Sequence, residues 1–364
     1  MKNKRCYLPL IVFFALFIGI FTVADFIKPT ENFSEFENRY LKGRPKITWA
    51  SLMDNSYTQN YEGYINDQFV LRNNWIDLKA KAEALLLKIE NNGVIYGKEN
   101  MLFEKFNSIN SEQLEKNYNF VNEFSKDKNV TLAIVPSAYE IYPENLPYGI
   151  TMVMQKPLID RIYKGLSVDT IDLVTPLFQN KWNYIYYRTD HHWTTDGAYI
   201  GYIEFCKSKN LEPFTDFELT NVNDFYGTYF NKCKNSSIAP DILKYPDLTL
   251  KTVVDGTEKE NYLDLSKFDE RDKYAAFLHG NNGVTVLSSG EKREKEKILV
   301  IKDSFANCFV PFLTYNYDEV YVVDLRSLPK GLTELVENNS FDDILILYNF
   351  VNFQSDTNLY RLKY

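Results

Sequence analysis

A chain of 364 residues, 45% hydrophobic and 25% charged, carries enough apolar side chains to bury a full core without covalent staples. Its net charge of -8, with no long basic block, excludes a sequence-independent nucleic-acid binder, which needs a clustered positive footprint. The four cysteines, Cys6, Cys206, Cys233 and Cys308, have no CxxC spacing and argue against a zinc site or a disulfide framework, although a Cys206–Cys233 bridge stays open.

Lys2, Lys4 and Arg5 precede the apolar run Tyr7–Ala24, which Asp25 closes. The run is longer than the roughly 7–15 residues of a signal-peptide core and near the roughly 17-residue lower limit for a membrane span. It reads as an uncleaved single-pass anchor with its positive end in the cytoplasm; a cleaved signal peptide is the alternative. Either way the rest of the chain lies outside the cytoplasm, where soluble phosphorylated or nicotinamide substrates are poor candidates. The polar stretch from Ile27 to about Asn55, with Pro29 and Pro45, reads as a tether. Helical spacing runs from Tyr57 to Glu90, and Gly93–Gly97 ends it and opens a short strand. The expected organisation is a cytoplasmic start and anchor over 1–28, a tether and helical entry region over 29–100, and a catalytic domain over 101–364.

Five short runs in that domain are apolar, β-branched and bounded by turn residues: Val130–Val135, Asp169–Val174, Ile298–Ile301, Val320–Leu325 and Ile344–Tyr348. Continuous apolar strands alternating with helical stretches predict a parallel sheet covered on both faces. The segment from about 211 to 295, rich in Asn, Asp, Lys and Tyr, reads as an insertion of loops and short strands. The aromatic content of 16% suits both core filling and stacking on sugar rings.

Of three histidines, two fall in the run Arg188-Thr189-Asp190-His191-His192-Trp193-Thr194-Thr195. Histidine suits proton transfer near neutral pH. In an extended segment, residues two apart share a side, so the Asp190 carboxylate is expected to hold the His192 imidazole. Thr194 or Thr195 is placed to cap a following helix. Asp190, His191 and His192 are also credible metal ligands. However, adjacent histidines in a strand point opposite ways and no HExxH pattern is present, so no metal is expected. A structural histidine packed beside Trp193 is the third reading. Further on, the strand ending at Lys302 runs into Asp303-Ser304-Phe305 and an apolar helix near Cys308. A serine at such a turn is exposed at the sheet edge, where helix N–H groups suit a developing oxyanion. Alone, Ser304 reads as an N-cap; with the Asp-x-His segment it reads as a nucleophile. GxSxG is absent.

The Asp-His-His-Trp run with Thr194-Thr195-Asp196-Gly197-Ala198, and the Lys302-Asp303-Ser304-Phe305 turn, resemble the signature blocks of the DHHW family. That family is similar to the SGNH hydrolase-like alginate O-acetyltransferases of bacterial polysaccharide secretion, in which Asp-x-His also precedes the serine. Ser34–Arg39, Asp67-Gln68-Phe69 with Arg72, Gly97–Phe103 and Val135-Pro136 through Tyr142-Pro143 resemble further family blocks. The resemblance implies an SGNH hydrolase-like (flavodoxin-like) three-layer α/β/α fold with a parallel sheet, behind an N-terminal transmembrane helix. It implies Ser304 as nucleophile, His192 as general base and Asp190 as its orienter. The Ser304 N–H and the Gly280-Asn281 segment would serve as oxyanion donors. Tyr139, Arg326 and His191 are candidates for lining the substrate cleft.

The activity implied is O-acetyl transfer through a serine ester to a cell-surface or secreted polysaccharide, with no cofactor. A membrane-bound O-acyltransferase is the expected source of acetyl groups, because acyl-CoA is absent outside the membrane. A glycan acetyl-esterase with the same three residues, and a glycan-binding surface protein without chemistry, are the alternatives. The sequence leaves the glycan unnamed.

Overall fold

Leu8–Ile27 forms one helix (α1), with Pro9 in its first turn, where a missing N–H costs nothing. Its span Leu8–Asp25 has a mean hydropathy of 2.3 and is long and apolar enough to cross a membrane. The computed structural model describes residues 7–34, 36, 37, 39–329 and 331–363. Cys6, the basic residues Lys2, Lys4 and Arg5, and Glu35 and Asn38 of the motif after the anchor lie outside them.

The chain divides into two compact units, 1–88 with 234–237, and 89–233 with 238–364. In the first, Phe33–Ser34 pairs antiparallel with Arg39–Tyr40. Three helices follow: α2 (Trp49–Met53), α3 (Ser56–Gln68) and α4 (Arg72–Leu85). The helix expected to run unbroken from Tyr57 to Glu90 is therefore interrupted. Phe69 turns extended at φ -54°, ψ 135°, and Leu71 is left-handed at φ 57°. At the break Asp67 accepts from Arg39 Nη1 at 3.0 Å and from the Lys42 N–H at 2.9 Å, and Gln68 Oε1 accepts from the Glu31 N–H at 3.0 Å. Arg72 pairs with Glu37 in the same cluster.

The second unit is built on an eight-stranded sheet. Its strands are β1 (Val130–Val135), β2 (Asp169–Ile171), β3 (Lys251–Val254), β4 (Thr257–Lys259), β5 (Val284–Ser288), β6 (Lys295–Lys302), β7 (Tyr317–Val323) and β8 (Asp343–Asn349). The order across the sheet is β4-β3-β5-β7-β6-β8-β1-β2. From β7 to β2 every neighbour is parallel. These are the five apolar runs of the sequence. Every residue of β1 and β8 is buried, so both faces are covered, as apolar runs without alternation require. The insertion adds β3, β4 and β5 as an antiparallel extension along the β7 edge.

Helices α5 (Ser111–Phe124), α6 (Lys156–Gly165) and α7 (Thr195–Lys209) contribute apolar side chains to the core. Thr194 caps α7 by accepting from the Gly197 N–H at 3.2 Å. Cys206, on α7, is a buried free thiol near Asn316, so the Cys206–Cys233 bridge does not form.

Candidate active site

Parallel strand β6 delivers Ser304 to the carboxyl edge of the sheet. Asp303 fixes the turn: its Oδ1 accepts from the Phe305 N–H at 2.9 Å, and its Oδ2 accepts from the Asn349 N–H at 2.8 Å and Asn352 Nδ2 at 2.7 Å. The turn continues as a single 3-10 stretch, Ser304–Cys308, before the four-residue helix Val310–Leu313. Elements this short sum few peptide dipoles, so the helix-dipole contribution expected at Ser304 is small. Any oxyanion here depends on individual donors.

Asp190 and His192 come together in a different way from the one their spacing suggested. Residues 188–192 form a bend rather than a strand, closed by the Tyr186–Trp193 bridge. Asp190 Oδ1 accepts from the His192 backbone N–H at 3.0 Å, a side-chain-to-backbone turn spanning two residues. The same oxygen lies 2.5 Å from His192 Nδ1, and His192 Nε2 lies 2.8 Å from Ser304 Oγ. An ionised carboxylate only accepts, so the imidazole proton sits on Nδ1 and Nε2 is free to accept from the serine hydroxyl. Burial raises the Asp190 carboxyl, but the charges of His191 and His192 and the hydrogen bonds outweigh it, and its pKa falls below the usual carboxylate range. Asp190 and His192 are buried, whereas Ser304 is partly exposed.

Several groups hold this arrangement that the sequence did not reveal. The Thr228 N–H donates to Asp190 Oδ2 at 2.7 Å. Beside it, a Cβ on Gly227 would lie 2.2 Å from the Asp190 Cβ, so only glycine lets the chain approach so closely. Tyr274 stacks on the His192 ring at 3.7 Å between centroids and 11° between planes, and its hydroxyl donates to the Ser304 carbonyl at 3.0 Å. Asp241 accepts from the Arg188 and Thr189 N–H groups at 2.9 and 2.7 Å. Trp193 Nε1 donates to the Phe305 carbonyl at 2.7 Å, tying the histidine bend to the serine turn.

The other candidate residues are placed as follows. His191 does not point away from His192: their rings lie 3.8 Å apart and tilted by 36°, because the bend replaces strand alternation. Burial and the neighbouring His192 push the His191 imidazole down to about 4. Asp190, His191 and His192 bring three donor atoms within 4.8 Å of one another, a grouping able to hold a metal ion. In it, His192 already faces Asp190 and Ser304 with its two nitrogens.

His191, Tyr139 and Phe305 line a narrow cleft with Glu104, Tyr229 and Asn352. The Tyr139 hydroxyl donates to the Val153 carbonyl at 2.9 Å and accepts from Gln155 Nε2 at 2.7 Å. Asn281 is exposed, and its Oδ1 accepts from the buried Lys302 ammonium at 2.7 Å and Asn307 Nδ2 at 3.3 Å, which leaves its N–H2 group as the donor on offer. Gly280 spends its N–H on the Phe277 carbonyl at 3.0 Å, so the segment's available donor is the Asn281 side chain. Arg326 does not reach into the cleft lined by His191: its guanidinium grips Asp324 through Nε at 2.8 Å and Nη2 at 2.5 Å.

Comparison with known proteins gives a consistent set of relatives. The family model described as DHHW protein matches residues 95–323. The probable alginate O-acetylase AlgJ of Pseudomonas fluorescens is 29% identical over 174 residues, 44% of this chain and 44% of that protein. Its counterpart in Pseudomonas syringae pv. tomato is 25% identical over 205 residues, 52% of this chain and 50% of that protein. The chain thus spans about half the length of the curated relatives it matches. Among solved structures, a DHHW family protein from Eubacterium siraeum superposes with a TM-score of 0.65 at 23% identity, covering 76% of this chain and 96% of that one. Bacillus cereus PatB1, solved with a sulfonyl adduct, superposes with a TM-score of 0.61 at 21% identity, covering 74% and 97%. The fold is the SGNH-like α/β fold expected from the sequence.

Proposed function

The chain belongs to the DHHW family, and from that premise we propose that it is an extracytoplasmic O-acetyltransferase that passes an acetyl group through Ser304 to a polysaccharide hydroxyl. The observation that carries this reading is the 2.8 Å approach of Ser304 Oγ to His192 Nε2, with Asp190 on the far nitrogen. The alginate O-acetylase names of the relatives support the reaction class.

In the first half-reaction Ser304 Oγ attacks the acetyl carbonyl of the donor while His192 takes the hydroxyl proton. Asp190 holds the imidazole in its tautomer and stabilises the imidazolium. The developing oxyanion is met by the Ser304 N–H and the Asn281 side-chain N–H. Collapse breaks the bond to the donor's leaving oxygen, which takes the proton from His192 and leaves acetyl-Ser304. In the second half-reaction a sugar hydroxyl gives its proton to His192 and attacks the ester. Ser304 then leaves as the hydroxyl, and the sugar keeps the acetyl group. The donor is supplied outside the membrane by a partner similar to the membrane-bound O-acyltransferases. α1 anchors the enzyme beside that partner in the cell membrane.

The test is to give the purified protein an activated acetyl ester with and without glycan oligomers. A mass gain of one acetyl group on Ser304, moving to the oligomer on its addition, is the expected result. Acetate release with no gain on any glycan would make the protein an esterase. Ser304→Ala is expected to lower turnover by roughly 10⁴–10⁶. Unchanged turnover would overturn the assignment of Ser304 as the nucleophile.

A further inference from the structure

Helix α4 carries an apolar stripe that is largely exposed, with Phe21 of α1 against its Trp75. Leu71, Trp75, Leu78, Ala82 and Leu85 follow one another at spacings of four and three, which puts them on one stripe. They are exposed: Leu71 by 57%, Leu78 by 56% and Leu85 by 84%. Ala80, opposite the stripe at about 100° per residue, is buried. Lys79 and Lys81 flank the stripe at about 80° on either side by the same rotation. A soluble helix buries such a stripe; here the other face packs inward and the stripe points out.

What lies against the stripe is indicated by α1. Phe21 of α1 stacks on Phe69 at 5.8 Å between ring centroids and meets Trp75 at 5.9 Å. The apolar span of α1 ends at Asp25, four residues beyond Phe21, or about 6 Å along a helix axis. Trp75 therefore sits about 6 Å below the end of the membrane-spanning segment. That depth lies within the roughly 5–10 Å to which in-plane amphipathic helices sink into a bilayer. Tryptophan on the apolar side and lysines at its borders are the side chains such helices carry at the headgroup level.

We infer that α4 is a second membrane contact, an in-plane helix whose Leu71–Leu85 stripe is covered by lipid. This rests on the reading of α1 as a retained membrane anchor. The contact takes conformational freedom from the anchor: a single span alone lets the attached unit swivel, whereas a span plus an in-plane helix fixes its tilt against the bilayer.

The test uses the full chain in lipid nanodiscs, with Cys6→Ser removing the thiol outside the described residues; Cys206, Cys233 and Cys308 are buried. Single nitroxide labels are placed at Leu78→Cys and Leu85→Cys. Leu16→Cys in α1 is the lipid reference and Glu115→Cys on α5 the aqueous one. Collisions with oxygen and with a polar nickel chelate are measured by paramagnetic resonance. The expected result is that oxygen dominates at 78 and 85 as it does at 16, and nickel dominates at 115. Nickel dominating at 78 and 85 while oxygen dominates at 16 overturns the proposal and leaves the anchor intact. Exclusion of both reagents with an immobilised spectrum at 78 and 85 also overturns it, because a protein surface then covers the stripe. Nickel access at 16 overturns the anchor reading and the lipid contact with it.

Discussion

At the level of single residues, the site divides into groups that a local reading of the chain reaches and groups it does not. Asp190 and His192 were legible because they stand two positions apart and histidine is scarce. The geometry that joins them is a turn closed by the aspartate side chain on the His192 N–H, so the two side chains meet through a bend and not the extended segment expected. Ser304 was legible from the strand that ends at Lys302. Tyr274, Thr228 and Asp241 were not, because each enters from a segment without a local pattern and meets the site only through the fold. Tyr274 makes the sharper experiment. Its face lies flat on His192, where an imidazolium gains from the ring's negative face, by about 0.5–2 kcal/mol. Tyr274→Phe keeps the ring and loses the hydroxyl's contacts with the Ser304 carbonyl and Cys308 Sγ. Tyr274→Leu is expected to lower kcat about 3- to 30-fold by that energy, with Tyr274→Phe close to the parent. Steady-state kinetics on an acetyl ester, with thermal melts of both variants as the fold control, decide the matter.

Among the elements, the five parallel strands were readable because both faces are buried and the runs are continuously apolar. The strands β3, β4 and β5 were expected only as unplaced short strands in a polar insertion, since an antiparallel extension alternates and borrows Lys and Thr for its open side. A signal was present: Asp255-Gly256 joins β3 to β4, and both residues are left-handed at φ 46° and 80°, as a two-residue hairpin demands. The break between α3 and α4 was likewise unreadable from periodicity, because its reason is an ion cluster assembled from distant positions. That cluster makes a prediction about acid. The Arg39 guanidinium holds Asp67 down at about 2, against 3.8 in the ordinary carboxyl. A lowered folded-state pKa stabilises above the unfolded value and loses that stabilisation as pH falls towards the folded value. The Asp67 contribution is therefore complete above about pH 4 and disappears between about pH 4 and pH 2. Thermal melts of Asp67→Asn are expected to lie below those of the parent at pH 6 and to converge with them near pH 2. A gap that stays constant across that range would assign the effect to packing instead.

On the scale of the whole molecule, the chain couples an apolar N-terminal span to a unit for which polysaccharide-directed chemistry is proposed. The donor and the acceptor in that reading differ in where they are found: one is delivered at the membrane, the other extends from the cell surface. Replacing residues 1–28 by a cleavable secretion signal is expected to leave turnover of a soluble acetyl ester within about twofold of the parent, since no group of the site lies there. Acetylation of the cell's own glycan should fall by an order of magnitude or more, about what loss of an effective concentration removes. Full glycan acetylation by the released form would show that the donor reaches the enzyme by diffusion.

The close passage of Gly227 beside Asp190 bears on how such an enzyme changes its preferences. The loop that begins there belongs to the insertion, as do Thr228, Asp241 and Tyr274, and all of them grip the histidine bend. In many enzymes a variable loop can be exchanged for another while the reacting groups stay put. Here the exchangeable part is also the clamp on the His192 bend, so a graft that replaces it imports a new alignment of the imidazole too. Diversification by wholesale loop exchange would pass through slow intermediates. Stepwise change at the cleft walls Glu104 and Tyr139, which stand outside the insertion, is the smoother route for drift in the field and for design at the bench.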